Sequence, residues 1–199
     1  MASWYPESTD PVKGLFVRKH AIQMAQLHDV CVVYFEMHDG SAYGERIIND
    51  FQGLTEHIIT IPRPSSFFEL LKSVASMNSR LLKLIRDSEL KFDFIHLNVV
   101  YPAGVFMYPA IIKSGLPLLI TEHWSGYFLE DSRYFKLASW KKWVITKLLK
   151  RAVAVTAVSD VLRKRIADVF GLTDKTVVVP NVVTMPAENK SFHKNVSNV

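Results

Sequence analysis

The hydrophobic positions of this chain form short apolar runs separated by longer amphipathic stretches. Runs that are short and aliphatic enough for strands occupy positions 30–35, 58–61, 94–100, 117–121, 153–158 and 176–179. Between them, apolar residues recur at helical spacing in 14–28, 66–89, 136–151 and 161–170. Strands that alternate with helices predict an α/β fold, a parallel sheet with helices on both faces.

Local signals refine the predicted helices. Ser66 and Glu69 have the spacing of a capping box, so we expect a helix to begin there. Ser159 precedes another helical stretch as an N-cap residue, and Gly171 stands where that helix should close. The predicted buried stripes are Val17, Ala21, Met24 and Leu27 or His28 in the first helix, and Phe68, Leu71, Ala75, Leu82 and Ile85 in the second.

The composition indicates one globular domain. The 199 residues are 49% hydrophobic, which is enough for a single core. We place that domain at residues 1–183, because residues 184–199 are polar and aperiodic and indicate a linker or tail. A single cysteine, Cys31, excludes an internal disulfide and favours a reduced, cytoplasmic setting. No apolar stretch reaches the roughly 18 residues needed to span a bilayer, and the first residues lack a secretory signal.

The chain is basic, with a formal charge of +5 and a pI near 9.3. This charge suits a sugar nucleotide, a phosphoglycan, a membrane surface or nucleic acid without choosing among them. In 136–151, one helical side carries Lys136, Trp143, Lys147 and Lys150, opposite a predicted core stripe of Leu137, Trp140, Val144 and Leu148. Lysines around an exposed tryptophan suit the anionic inner face of a membrane. A solvated basic face with the tryptophan in a small pocket is the alternative.

The candidate chemistry lies where predicted strands end. The apolar run at 116–121 leads directly to Glu122 and His123, and parallel sheets bind ligands along the edge where their strands end. Together with Trp124 and Tyr127, these residues could stack a sugar and hydrogen-bond or exchange a proton with its hydroxyl groups. A polar loop over the edge of a sheet is the alternative.

Two further loops also follow strand ends. Gly14 precedes a helix and would let the backbone approach a phosphate, or it would simply form a turn. Asn98 and Tyr101 could hydrogen-bond sugar hydroxyl groups, while Pro102 suits the first turn of the next helix. His96 lies within its strand, which indicates a core histidine with a satisfied hydrogen bond.

Several short motifs occur in an order that resembles a known family. They are Ser3-Trp4-Tyr5-Pro6, Gly14-Leu15-Phe16-Val17, Phe94-Ile95-His96, Thr121-Glu122-His123, Ala157-Val158-Ser159 and Val179-Pro180-Asn181. The ordered set resembles the amino-terminal domain of family 4 retaining glycosyltransferases. The resemblance implies one half of a GT-B fold, a Rossmann-like acceptor-side domain that faces a second such domain holding most of the nucleotide sugar.

The resemblance also implies an activity and a set of site residues. The expected reaction transfers a hexosyl group, with retention, from a nucleotide sugar to a glycan or lipid-linked acceptor in surface polysaccharide biosynthesis. His123 would be the catalytic residue beside the transferred sugar, and Gly14 would lie near the donor diphosphate. The other expected substrate-binding residues are Asn98, Tyr101, Glu122, Trp124 and Ser159. We expect no metal, cofactor or nucleic acid, since such enzymes are usually metal-independent and no acidic, Cys or His cluster has metal-ligand spacing.

The chain also departs from the family pattern. The sequence does not contain the second domain, so we expect this chain alone to be inactive. The family places a strand before Ser3, where this sequence has only Met1 and Ala2. A sheet position would then be vacant unless a neighbouring copy or the tail fills it. Two rival functions stay open: a sugar-nucleotide epimerase of the same architecture, and a non-catalytic binding module of flavodoxin-like topology.

Overall fold

The computed structural model describes residues 1–7, 9–40, 43–51, 53–87 and 91–181. Its helices are α1 (Leu15–Ala25), α2 (Phe67–Asp87), α3 (Tyr108–Ser114), α4 (Ser139–Arg151) and α5 (Asp160–Phe170). Its strands are β1 (Val30–His38), β2 (Gly44–Phe51), β3 (Leu54–Pro62), β4 (Ile95–Asn98), β5 (Leu118–Glu122), β6 (Ala154–Ala157) and β7 (Thr176–Val178). The predicted domain boundary at 183, the predicted tail and the predicted helix end at 89 lie outside the described residues. In the described ranges, no helix is long and apolar enough to cross a bilayer.

The strands form two sheets. One contains β4, β5, β6 and β7 in that order, and all its pairs are parallel. The other has the order β1, β3, β2, in which β1 and β3 are parallel and β2 is antiparallel to β3. This arrangement confirms the predicted α/β class, with a parallel sheet flanked by helices. All six predicted strands are present, although β1 and β3 are longer than predicted and β4, β6 and β7 are shorter.

The hydrophobic pattern does not predict β2. Its sequence places Glu45 and Arg46 beside Ile47 and Ile48, so it shows neither an apolar run nor a regular alternation. Ile47 is 54% exposed, because β2 lies at the outer edge of its sheet. A strand that buries few side chains leaves little hydrophobic signal in the sequence.

The first three residues join the two sheets. The Ala2 N–H donates to the Val33 carbonyl of β1 at 3.2 Å. On the other side, the segment runs parallel to β4: the Asn98 N–H donates to the Met1 carbonyl at 2.9 Å, and the Ser3 N–H donates to the Asn98 carbonyl at 3.0 Å. On the amino side of this short segment, a cavity of about 990 Å³ separates β1 from β4.

Helices cover both faces of the β1–β3 sheet. α1 packs Val17 and Ala21 against one face, in a core that includes Ile58. α2 packs Met77 and Leu81 against the opposite face, as part of the larger core that continues under β4 to β7. The sheet therefore has the two helical layers that the alternation of elements predicts.

The buried side of α2 matches the predicted stripe only in part: Leu82 and Ile85 are partly buried and pack against the core. Phe68 and Leu71 are 75% and 49% exposed, and Ala75 is exposed as well. The residues that α2 buries are Ser73, Met77, Asn78 and Leu81. The Asn78 amide donates to the Phe106 carbonyl at 2.8 Å and accepts from the Ala110 N–H at 2.8 Å. These hydrogen bonds of Asn78 hold α2 against α3. The buried face of α2 therefore includes Asn78, which hydrophobic periodicity does not predict.

Two other helical predictions fail at helix boundaries. Leu27 is 82% exposed because α1 already ends at Ala25. Lys136 precedes α4, which begins at Ser139, so it does not share a helical face with the later lysines. Trp140, predicted in the core stripe, is 53% exposed. The residues that α4 buries are Val144, Ile145, Leu148 and Leu149.

Candidate functional site

Several predicted site residues lie along one edge of the sheets. The parallel register aligns Asn98 at the end of β4 with Thr121 of β5, and Glu122 at the end of β5 with Ala157 of β6. Gly14 lies at the same edge, because the first three residues pair beside β4 and lead into the loop before α1. The carboxyl ends of the strands thus meet the amino end of a helix, as at the ligand-binding edge of many α/β folds.

Glu122 is fully buried beneath this edge. Its Oε1 accepts hydrogen bonds from the Val100 N–H at 3.0 Å and from the Tyr127 hydroxyl at 2.9 Å. Burial raises the pKa of the Glu122 carboxyl to about 7, and the hydrogen bond from the Val100 N–H opposes that shift. The Glu122 side chain therefore holds the loop that contains Val100 and the loop that contains Tyr127.

The loop 99–104, which follows β4, has an unusual backbone that is held by hydrogen bonds. Val99 has a φ of 62°, which is rare for a β-branched residue, and the Tyr101–Pro102 peptide bond is cis. The Ser3 hydroxyl donates to the Val99 carbonyl at 2.5 Å and accepts from the Ala103 N–H at 2.9 Å. Together with the carboxylate beneath it, this serine fixes the course of the loop.

Aromatic rings line the space beside the loop 99–104. Trp124 is 2% exposed, and its ring stacks on Tyr101 with centroids 5.3 Å apart and an interplanar angle of 22°. Tyr127 packs edge-on against Trp124 at 5.1 Å. Because Trp124 is buried, the half-buried Tyr101 is the more accessible ring of the stacked pair. Lys141 places its ammonium 5.7 Å from the centre of the Tyr101 ring.

His123 follows β5 directly and lies under α1. Its ring is 4.3 Å from the ring of Phe16 and 6.0 Å, edge-on, from that of His20. Both ring nitrogens of His123 are buried and have no hydrogen-bond partner among the described residues. Burial, and then the charge of His20, lower the pKa of His123 to about 4. At neutral pH the ring is uncharged, so one nitrogen can donate a hydrogen bond and the other can accept one.

Two further histidines lie near His123. His96 forms a hydrogen bond through Nε2 with Thr121 Oγ1 at 2.7 Å, as the sequence indicates for a satisfied core histidine, and burial lowers its pKa to about 3. Burial also lowers the pKa of His20, and a hydrogen bond with the Asn181 side chain opposes that shift. In the part of the chain that the structure describes, no group of three or more His, Cys, Asp or Glu side chains is arranged to hold a metal ion.

Two of the predicted site residues have structural roles in the fold. Gly14 has a φ of 60° directly before α1, and an added Cβ would lie 2.4 Å from the Trp4 carbonyl carbon. Ser159 caps α5, where its Oγ accepts a hydrogen bond from the Leu162 N–H at 3.2 Å. These contacts explain both residue types without a ligand. Their expected contacts with substrate stay predictions.

Sequence reasoning misses three residues that help to form the site: Ser3, Phe16 and His20. Phe16 stands two positions after Gly14, so a search of the first turn of α1 for side chains facing the strand ends would find it. Ser3 leaves no such signal, because its hydrogen-bond partners are 96 and 100 positions away in the sequence.

Comparison with known proteins identifies the family. Residues 14–185 match the family described as Glycosyltransferase Family 4, and this range contains α1 to α5 and β1 to β7. No curated protein matches the sequence. Since the match covers more than half of the chain and the fold is a parallel α/β sheet flanked by helices, the chain belongs to glycosyltransferase family 4, as a Rossmann-like amino-terminal domain of the GT-B architecture.

Proposed function

We propose that this domain forms the acceptor-side half of an enzyme that transfers a hexosyl group, with retention, from a nucleotide sugar to a glycan or lipid-linked acceptor of a surface polysaccharide. The observation that carries the proposal is His123, whose two buried ring nitrogens have no partner in the described part of the chain. Buried polar groups are nearly always hydrogen-bonded, so such a ring at a strand end suits a bound ligand. The nucleotide sugar is a substrate in this proposal, and no separate cofactor is included.

His123 would act on the transferred sugar as an uncharged hydrogen-bonding group. A sugar hydroxyl both donates and accepts, as does a neutral imidazole. The ring of Phe16 lies 4.3 Å from that of His123, so the phenyl group would turn aside when the sugar binds. Within the water-excluded cleft, a hydrogen bond that strengthens as charge develops would lower the barrier to transfer.

The acceptor side would be built around the loop 99–104. Tyr101 would contact the acceptor sugar, and Trp124 would support it from behind, because Trp124 is 2% exposed and stacks on it. Asn98 has an Oδ1 atom with no hydrogen-bond partner among the described residues, which suits a sugar hydroxyl as its donor. Glu122 would position this loop through its hydrogen bond with the Val100 N–H rather than contact substrate.

The donor side would use the turn at Gly14. This turn places the amino end of α1 at the same edge as His123, and the first helical turn of such a helix attracts phosphate groups. Ser159 would contribute through its position at the start of α5. The second GT-B domain would supply most of the remaining contacts with the nucleotide sugar.

The exposed side of α4 would contact the anionic inner face of a membrane, where a lipid-linked acceptor resides. Trp140 and Trp143 are each 53% exposed, and the Lys147 ammonium lies 5.6 Å from the centre of the Trp143 ring. Aromatic rings next to lysines bind the headgroup region of anionic lipids. Replacing Trp143 by Ala and Lys147 by Glu should lower sedimentation with phosphatidylglycerol vesicles. Equal sedimentation of wild type and variant would leave the alternative, a solvated basic face.

The catalytic assignment is tested in the full-length enzyme. His123→Ala should lower turnover by about 10²-fold or more and leave donor affinity nearly unchanged, because the interaction is made mainly in the transition state. His57→Ala, on β3 away from the strand ends, is the matched control and should keep normal turnover. Turnover, donor affinity and melting temperature are measured on one preparation. A folded His123→Ala enzyme with near-wild-type turnover would remove His123 from the catalytic role.

A further inference from the structure

Lys141 of α4 lies among three aromatic rings beside the loop 99–104. Its ammonium is 5.7 Å from the centre of the Tyr101 ring, 6.0 Å from that of Phe106 and 5.5 Å from that of Trp140. Lys141 is half-buried. Because the faces of aromatic rings attract a cation, the three rings hold the ammonium in one place. We call Lys141 and these three rings the lysine cage.

The charge of Lys141 is not neutralised by a carboxylate. Among the residues that the structure describes, no Asp or Glu forms an ion pair with it. Arg133 shows the contrast: its guanidinium lies 5.8 Å from the centre of the Trp124 ring, but it also donates to Asp131 Oδ2 at 2.6 Å. Aromatic rings attract a cation without removing its net charge, so the lysine cage presents a positive charge beside Tyr101.

The position of Lys141 on α4 does not favour a positive charge. Lys141 stands in the first turn of the helix, where the positive end of the helix dipole disfavours a cation. The same turn contains no acidic residue that would offset the charge. The rings therefore hold a cation where the helix alone would not stabilise one, and an anionic ligand would supply the missing opposite charge.

The lysine cage joins two surfaces of different chemistry. Tyr101 belongs to the loop that follows β4, at the edge where the strands end. Trp140 belongs to the exposed side of α4, and it is 53% exposed, as is Trp143 three positions further along the helix. A sugar joined to a lipid through phosphate has the same order of chemistry: hydroxyl groups, then negative charge, then a hydrocarbon chain. The charge of Lys141 thus complements the middle part of such a molecule.

We propose that the lysine cage binds the phosphate that joins the acceptor sugar to its lipid, so that the acceptor is a glycosyl phosphate or diphosphate lipid rather than an uncharged glycan. This inference rests on the proposed function, in which Tyr101 contacts the acceptor sugar. The Lys141 ammonium would donate to the phosphate oxygens, and the first part of the lipid would lie against Trp140. Because the rings already hold the ammonium, little side-chain freedom is lost on binding.

The probe is farnesyl diphosphate, which carries the phosphate groups and a hydrocarbon chain but no sugar, so the result does not depend on which sugar the acceptor contains. Calorimetry with the chain should show saturable binding that weakens as salt is added. Inorganic pyrophosphate lacks the lipid and should bind at least about 10-fold more weakly, because it buries no apolar surface against Trp140. No binding of farnesyl diphosphate, or equal binding of the two compounds, would overturn the proposal.

Two variants locate the phosphate. Lys141→Met removes the charge but keeps an unbranched side chain that can pack against the three rings, and it should weaken the binding of farnesyl diphosphate about 10-fold or more. Lys113→Met is the matched control: it removes the same charge from an exposed position in the last turn of α3 and should leave binding unchanged. Equal binding by both variants would place the diphosphate elsewhere, such as at the amino end of α1, and would overturn the assignment.

The result can be separated from that of the catalytic test. Binding of farnesyl diphosphate involves no transfer step, whereas the catalytic role is tested by the turnover of His123→Ala. Weakened binding in Lys141→Met together with normal turnover in His123→Ala would support the phosphate site and refute the catalytic role. Unchanged binding in Lys141→Met together with lost turnover in His123→Ala would overturn the inferred acceptor class alone.

Discussion

Glu122→Gln should make the domain more resistant to unfolding as the pH rises, relative to the wild type. The glutamine keeps an oxygen that can accept from the Val100 N–H and the Tyr127 hydroxyl, but it cannot ionise. In the wild type, burial raises the pKa of Glu122 from 4.5 to about 7. A group whose folded pKa is raised contributes stability below its unfolded pKa and loses it as the pH rises through the folded pKa.

The size of this effect follows from the pKa. One pKa unit corresponds to about 1.4 kcal/mol, so the shift from 4.5 to about 7 corresponds to about 3 kcal/mol. The unfolding free energy of Glu122→Gln minus that of the wild type should therefore rise by about 3 kcal/mol between pH 4.5 and pH 7.5. The buried amide NH₂ adds a cost that is the same at every pH and cancels in this comparison.

Urea unfolding at pH 4.5, 5.5, 6.5 and 7.5 measures the difference, with circular dichroism as the signal. Glu130→Gln, at an exposed carboxylate eight positions further along the chain, is the matched control and should show no comparable rise. A difference between Glu122→Gln and the wild type that stays flat across this range would refute the reasoning. It would mean that the pKa of the Glu122 carboxyl is the same in the folded and the unfolded protein.

The remaining predictions concern other residues of the strand-end region. His123→Ala should show the opposite pH dependence. Because the pKa of His123 is lowered to about 4 in the folded protein, its uncharged ring gives the wild type stability that is present above pH 6.5 and lost as the pH falls through about 4. In urea unfolding, the free energy of unfolding of the wild type minus that of the variant should therefore fall by about 3 kcal/mol between pH 6.5 and pH 4. Gly14→Ala should lower the unfolding free energy by more than about 2 kcal/mol, from backbone strain plus the clash with Trp4, whereas Gly115→Ala, with a φ of 72° and open space around it, should lose only about 1 kcal/mol. Ser159→Ala should lose about 1 kcal/mol through the lost N-cap of α5, and a loss near zero would contradict the capping role.

The elements with strong patterns could be predicted from the sequence. β5 begins with three aliphatic residues because it is buried on both faces, and this run leads to Glu122 and His123 at the strand end. The cap of α5 by Ser159 and its end at Gly171, which has a φ of 67°, follow from local chemistry within one turn of helix. Features that depend on residues close in the sequence can therefore be predicted from the sequence.

The features that the sequence does not reveal depend on distant contacts. Asn78 is buried because its amide bonds residues 28 and 32 positions away, and nothing in its own helix indicates this. Trp124 is of a residue type that commonly stacks on sugars, yet in this fold the rings of Tyr101 and Tyr127 pack against it. The pattern of a loop shows which side chains are present, but not which of them the tertiary fold covers.

Ser3 makes the course of the loop 99–104 dependent on the joining of the two sheets. The segment that bridges β1 and β4 carries the hydroxyl that bonds both Val99 and Ala103. If β1 and β4 separate at this segment, the loop 99–104 loses these two hydrogen bonds, while the strands of the four-stranded sheet stay paired and its core stays packed. The loop 99–104 therefore depends on two hydrogen bonds that the four-stranded sheet does not supply, so it can loosen while that sheet stays folded.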